Sequence, residues 1–166
     1  MSTTTITNAQ LEAAGHDEDN WPHIRALCAF LNCEPGELKT THNHYELPVF
    51  CTGNGEFAIG TDSEADSAGV DYVKNSIWAF NTSFILGECG LPCELEDCIR
   101  SFQEKECESA NDALLALVEK CSSLESFAQA AFSADGRGHF LSGYDGNENE
   151  QEDPETGETF YIYRTS

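Results

Sequence analysis

The chain has 166 residues, enough for one domain with its own hydrophobic core and marginal for two. Apolar residues make up 40% of it, which excludes a disordered polypeptide, while 30 Asp and Glu against 8 Lys and Arg leave a formal net charge of −22. A field of that sign repels phosphates and anionic headgroups, so it argues against direct binding of nucleic acid or of a membrane surface and favours a basic partner.

The opening residues "MSTTTITNAQLEAAGHDEDNW" hold no basic segment and no apolar stretch of the roughly 7–15 residues that a secretory signal needs. No later run approaches the ~20 apolar residues of a membrane span. The expectation is a cytoplasmic protein of one domain, 1–166, loosely held over residues 1–18. Eight cysteines, at 28, 33, 51, 89, 93, 98, 107 and 121, are then read as reduced thiols, several of them in the core.

Asn20 is placed to cap a helix with Pro22 in its first turn, and Ile24, Leu27, Cys28 and Leu31 recur at helical spacing up to about Asn32. "LPVFCTGNGEFAIGT" supplies two β-prone runs, Pro48 to Cys51 and Glu56 to Ile59, around Gly53-Asn54-Gly55, the strongest hairpin signal in the chain. Thr61 with Glu64 forms a capping box, and the stripe Ala65, Ala68, Tyr72, Val73, Ile77, Trp78, Phe80 predicts a helix in the core. "NTSFILGECGLP" continues or restarts the helix and supplies its stop in Gly90 and Pro92. Further helices are predicted from Cys93 to about Glu106, from Asn111 to Cys121 and from Leu124 to Phe132, with Ser109 or Asn111, and Ser122 with Glu125, as capping candidates.

Beyond Ala134-Asp135-Gly136, "GHFLSGY" and "TFYIYR" (159–164) read as strands, the second through its alternating aromatics. Between them "YDGNENEQEDPETGE", residues 144–158, contains seven acidic residues and no basic one, the composition of a solvated loop or long hairpin tip. The fold class is therefore α+β: a small antiparallel sheet from an early and a C-terminal hairpin, packed against a helical middle region.

The candidate chemistry concentrates in "ADGRGHFLSGYDGNENEQ". As a calcium loop, Asp145, Asn147 and Asn149 take positions 1, 3 and 5, but Glu150 replaces the glycine of position 6 and Thr156 the bidentate Glu of position 12. As a phosphate cradle, Gly136-Arg137-Gly138 runs from helix to predicted strand, the reverse of the strand-to-helix order such loops use. Arg137, His139 and Ser142 form an alternative set for a small hydrolase or nucleotide-handling enzyme, although on a strand His139 and Ser142 would face opposite ways, and no G-x-S-x-G elbow exists. A second alternative is a zinc-stabilised structural protein using Cys28, Cys33, His42 and His44; the C-x4-C-x8-H-x-H spacing lacks the close knuckle of structural zinc sites. No cofactor is implied by any of these patterns. The remaining candidate is the charge itself. Carboxylates spaced like backbone phosphates can occupy the basic groove of a nucleic-acid-binding protein, although the same acidity also fits salt adaptation or solubility alone.

Three stretches, "TDSEADSAGVDYVKNSIWAFNTSFI", "SFQEKECESANDALLALVEK" and "SADGRGHFLSGYDGNENE" closing on "FYIYR", resemble a group of small acidic proteins carried by tailed bacteriophages and prophages, over roughly residues 56–164. The resemblance implies a phage-encoded accessory protein acting in the host cytoplasm, and it brings no catalytic or binding residues with it. The combined expectation is a non-enzymatic protein that binds a basic host protein of the nucleic-acid-binding kind, as a mimic of nucleic acid that inhibits a defence or DNA-handling factor. Its contact residues would be the carboxylates of Asp145, Glu148, Glu150, Glu152 and Asp153.

Overall fold

A computed structural model describes residues 5–166. The chain separates into two compact units, one formed by residues 5–68 with 137–166 and the other by 69–136. The fold is α+β, as the sequence predicts.

The first unit is built on a five-stranded sheet: β1 (Lys39–His44), β2 (Leu47–Thr52), β3 (Gly55–Thr61), β4 (Asn149–Glu152) and β5 (Thr159–Arg164). Its order is β1-β2-β3-β5-β4, antiparallel throughout. The early hairpin, β2 and β3, thus pairs directly with the C-terminal strand, Ile59 opposite Ile162. Alternation along these strands buries both faces. One face presents Phe50, Phe57, Ile59, Phe160 and Ile162 to α1 (Asn8–Ala13), through Leu11, and to α2 (Trp21–Leu31), through Ile24 and Leu27. The other presents Leu47, Val49, Ala58 and Tyr163 to Ala65 and Ala68 of α3 (Asp62–Ser76) and to Leu141 of α8 (Arg137–Leu141).

Helix α1 lies in the N-terminal segment expected to be loose. Thr7 and Gln10 close a capping box at its start and Leu11 is fully buried; residues 1–4 of that expectation lie outside the described residues. The predicted box of Thr61 and Glu64 opens α3, with the Thr61 amide donating to Glu64 at 2.8 Å and the Glu64 amide to the Thr61 hydroxyl at 3.3 Å. Asn20 precedes α2, as predicted, without a side-chain capping bond.

The second unit is helical: the later turns of α3, then α4 (Thr82–Cys89), α5 (Glu96–Glu106), α6 (Asn111–Cys121) and α7 (Leu124–Asp135). Val73, Ile77, Ile85, Leu114, Val118 and Phe127 make its core. Gln103 is its buried polar hub, accepting from the Thr82 hydroxyl at 2.6 Å and donating to the carbonyls of Trp78 and Phe80. Asn111, a capping candidate for α6, instead closes the end of α3, donating to the Lys74 carbonyl and accepting from the Trp78 amide. Ser123, accepting from the Ser126 amide, caps α7 where Ser122 and Glu125 were the candidates.

The segment "GHFLSGY", predicted as a strand, is the short helix α8 and a turn. Gly136 ends α7 at φ +82°, and the chain restarts as helix immediately after it. Phe140 and Leu141 are both buried, a consecutive pair that a helix facing the sheet accommodates and a one-face alternation does not.

Candidate functional site

Arg137, His139, Ser142 and the five carboxylates singled out by sequence lie along α8, the 142–148 turn and the β4–β5 hairpin. Helix α8 approaches the turn closely at Gly138: a side-chain carbon there would lie 2.6 Å from the Gly146 carbonyl oxygen and 2.7 Å from the Glu148 amide. Only glycine permits that approach.

Arg137 leaves α8 into a ring of carboxylates. It donates through Nη1 to Asp62 and Asp66, both at 2.8 Å, and through Nε to Glu148 at 2.9 Å, and it lies 4.6 Å above the Tyr161 ring. Its side chain is 10% exposed. Burial opposes the charge, but the Glu148 carboxylate and its acidic neighbours outweigh it and raise the guanidinium pKa. Glu148 also accepts from the Tyr163 hydroxyl at 2.5 Å, and burial followed by this carboxylate pushes the Tyr163 pKa up. The Arg137 fork is therefore spent on the protein's own carboxylates, and it holds α3, α8 and the approach to β4 together.

Ser142 is buried, its hydroxyl 2.8 Å from both the Asp145 carboxylate and the Arg164 carbonyl. His139 is exposed with its ring edge-on to Phe140. Among the described residues, His139 and Ser142 share no hydrogen bond. Arg137, His139 and Ser142 thus belong to one short segment but are not brought to a common point: one is internal to an ion-pair network, one is outward, and one closes a turn.

The five expected carboxylates divide. Asp145 is exposed, and the Asn147 amide followed by the Ser142 hydroxyl holds its carboxyl below the usual range. Glu150 and Glu152 point outward from the same face of the edge strand β4, paired with Tyr161 and Thr159 of β5. Glu148 serves Arg137 and Tyr163. Asp153 corrects the sequence reading most sharply, because it is 0% exposed rather than part of the acidic surface. It accepts from Arg25 Nε at 2.9 Å and Nη2 at 2.8 Å, from the Thr156 hydroxyl at 2.9 Å and from the Glu155 amide at 3.1 Å. Burial raises the Asp153 carboxyl, but Arg25 and these donors outweigh it and hold the group below its ordinary value.

Sequence reasoning passed over Arg25, the other half of that pair. The signal was present: a lone Arg amid Ile24, Leu27 and Cys28 on the apolar face of a helix requires a buried anion. His23, on the same helix, meets Glu64 at 3.0 Å and packs on Phe160 at 4.7 Å, which ties α2 to the start of α3.

The proposed zinc ligands do not converge. Cys28 and Cys33 sit at the C-terminal end of α2, whereas His42 and His44 lie on β1, where His42 is exposed and His44 donates Nε2–H to the Leu141 carbonyl at 3.1 Å. Among the described residues no group of three or more His, Cys, Asp or Glu side chains is placed to hold a metal ion. No described helix is long and apolar enough to cross a membrane.

Compared with protein-family models, with curated proteins and with solved structures, the chain matches none of them. The functional reading therefore rests on the chemistry of the molecule itself.

Proposed function

We propose that this is a non-enzymatic acidic accessory protein, of the phage type its motifs resemble, that binds a basic nucleic-acid-binding host protein by presenting carboxylates where that partner expects phosphates. The observation that supports this reading is the placement of the cations. In the sheet-bearing unit the side chains of Arg25 and Arg137 are 6% and 10% exposed and committed to internal carboxylates. Arg164 is committed as well, donating to the carbonyls of Asn54 and Ser166 beneath the Tyr144 ring. With Arg25 and Arg137 turned inward, the unit presents the carboxylates of Asp145, Glu150 and Glu152 outward, with Arg164 near Asp145 alone among the three. Such a surface contributes steering and displacement of a partner's counterions, both strongly salt-dependent.

The test is capture from a bacterial host lysate on the immobilised full chain at low and at moderate salt, beside the triple variant Asp145→Asn, Glu150→Gln, Glu152→Gln and the single variant His139→Ala. The reading expects a basic nucleic-acid-binding protein at low salt, lost at moderate salt and in the triple variant, and retained by His139→Ala. Absence of any partner at both salt concentrations, or capture indifferent to salt and to the triple variant, overturns it.

A further inference from the structure

Helix α2 ends at Asn32 in the left-handed conformation, φ 53° and ψ 51°, and the chain folds back so that the Cys33 amide donates to the Cys28 carbonyl at 3.2 Å. This six-to-one closure is that of a Schellman motif, which commonly brings the side chains of its first and last residues against each other. Here those residues are both cysteines. Cys28 is buried in the core beneath the sheet, Cys33 is half-buried and packs against the same core, and both are free thiols. Both also line one cleft of about 260 Å³, together with Arg25, Glu34, Glu37 and Glu155.

We propose that Cys28 and Cys33 form a redox-responsive pair, which a small neutral or cationic disulfide oxidises to an intramolecular disulfide across the C-terminus of α2. The proposal is independent of the partner-binding reading. The roles of the two thiols follow from their surroundings. The neighbouring Cys28 thiol lowers the Cys33 pKa against the opposing effects of burial, Glu37 and Glu34, while Cys33, followed by burial, raises that of Cys28. Cys33, the more accessible and the more acidic, is the attacking group. Its thiolate forms a bond to one sulfur of the small disulfide, whose own S–S bond breaks, and the departing thiolate takes a proton from water. Cys28 then gives its proton to solvent and attacks the Cys33 sulfur. The Cys28–Cys33 bond forms, the mixed disulfide breaks, and the second small thiolate leaves and is protonated. Two protein thiols are oxidised by two electrons and one small disulfide is reduced to two thiols.

The charge of the cleft sets the oxidant class. Glu34, Glu37 and Glu155 stand around the thiols, and Arg25, the single cation among the described lining residues, is occupied by Asp153 and Glu155. An anionic disulfide such as oxidised glutathione is repelled there, and a cationic one such as cystamine is drawn in.

The full chain, treated with cystamine, alkylated and digested with trypsin without reduction, tests this directly. Cleavage after Arg25 and Lys39 releases Ala26–Lys39, which carries Cys28 and Cys33 and no other cysteine. The expected product is that peptide unalkylated and lighter by two hydrogens, returning to a doubly alkylated form after reduction. In Cys28→Ser, and in Cys28→Ala should the buried hydroxyl impair folding, cysteamine should remain trapped on Cys33. At low salt cystamine should react about tenfold faster than oxidised glutathione, with the two rates converging as salt screens the cleft. A peptide that keeps two alkylatable thiols, or stops at an unresolved mixed disulfide in the unsubstituted protein, overturns the pair. Equal rates at low salt overturn the choice of oxidant.

Discussion

Replacing Asp153 with Asn keeps the shape of the side chain and removes its charge, in a place with no exposed surface and four polar atoms directed at the carboxylate, two from Arg25 and one each from the Thr156 hydroxyl and the Glu155 amide. Breaking a buried ion pair by removing one partner costs about 3–5 kcal/mol, because the remaining charge is left without compensation. Arg25 keeps Glu155 at 3.1 Å and Asn8 at 3.3 Å, so the lower end, about 3 kcal/mol, is expected. At about 2–4 °C per kcal/mol for a chain of this size, the melting temperature should fall by about 6–12 °C. Thermal unfolding followed by far-UV circular dichroism at pH 7 measures it, with Glu150→Gln and Glu152→Gln as controls expected to stay within about 0.5 kcal/mol. The pH dependence has a definite sign. The Asp153 carboxyl is depressed in the folded state, so its contribution is complete above its unfolded value of about 3.9 and is lost as pH falls through the folded value. Below about pH 4 the unsubstituted protein should therefore lose stability more steeply than Asp153→Asn. If Asp153→Asn melted with the controls at pH 7, Asp153 would be an ordinary surface carboxylate and the division of the acidic run drawn above would be wrong.

Three further substitutions probe the backbone. Gly138→Ala drives a methyl against the backbone of residues 146–148 and should cost about 1–3 kcal/mol, whereas Gly36→Ala, with open space around it, should be tolerated; thermal melts of the two compare them. Glu46 is exposed at φ 70°, a conformation costing a residue with a side chain about 1 kcal/mol, so Glu46→Gly should raise the urea midpoint at unchanged slope, and a lowered midpoint would refute the strain.

Those positions also explain what the sequence could and could not convey. Strands β2, β3 and β5 are legible because burial on both faces calls for short runs of β-branched, aromatic and small apolar residues, and the Thr61–Glu64 box is legible because two orphan amides at a helix start need two particular side chains. Strand β1 is not, for two reasons. Its residues Lys39-Thr-Thr-His-Asn-His44 are largely exposed and so carry no apolar alternation, and its hairpin turns at Tyr45-Glu46, both left-handed, without the Gly or Asn that announces such a turn. Of the glycines in "GRGHF", Gly136 does end a helix, but Gly138 lies inside α8 against residues 146–148, a tertiary fact with no local signal. Likewise, nothing in "NEQEDPETGE" distinguishes Asp153 from the acids around it until Arg25, far away in sequence, is placed against it.

The two edges of the sheet have a bearing on self-association. An edge strand exposes unpaired amides and carbonyls to any strand that can align with them, and a second copy of the same protein is the partner always at hand. Strand β1 offers an irregular register between Thr40 and Asn43 and no apolar side chain to bury. Strand β4 offers Glu150 and Glu152 on one face, so that antiparallel pairing with its own copy would set like charges against each other across the new seam. The edge that carries Glu150 and Glu152 is thereby a guard against templated aggregation, and one that weakens wherever acid protonates it.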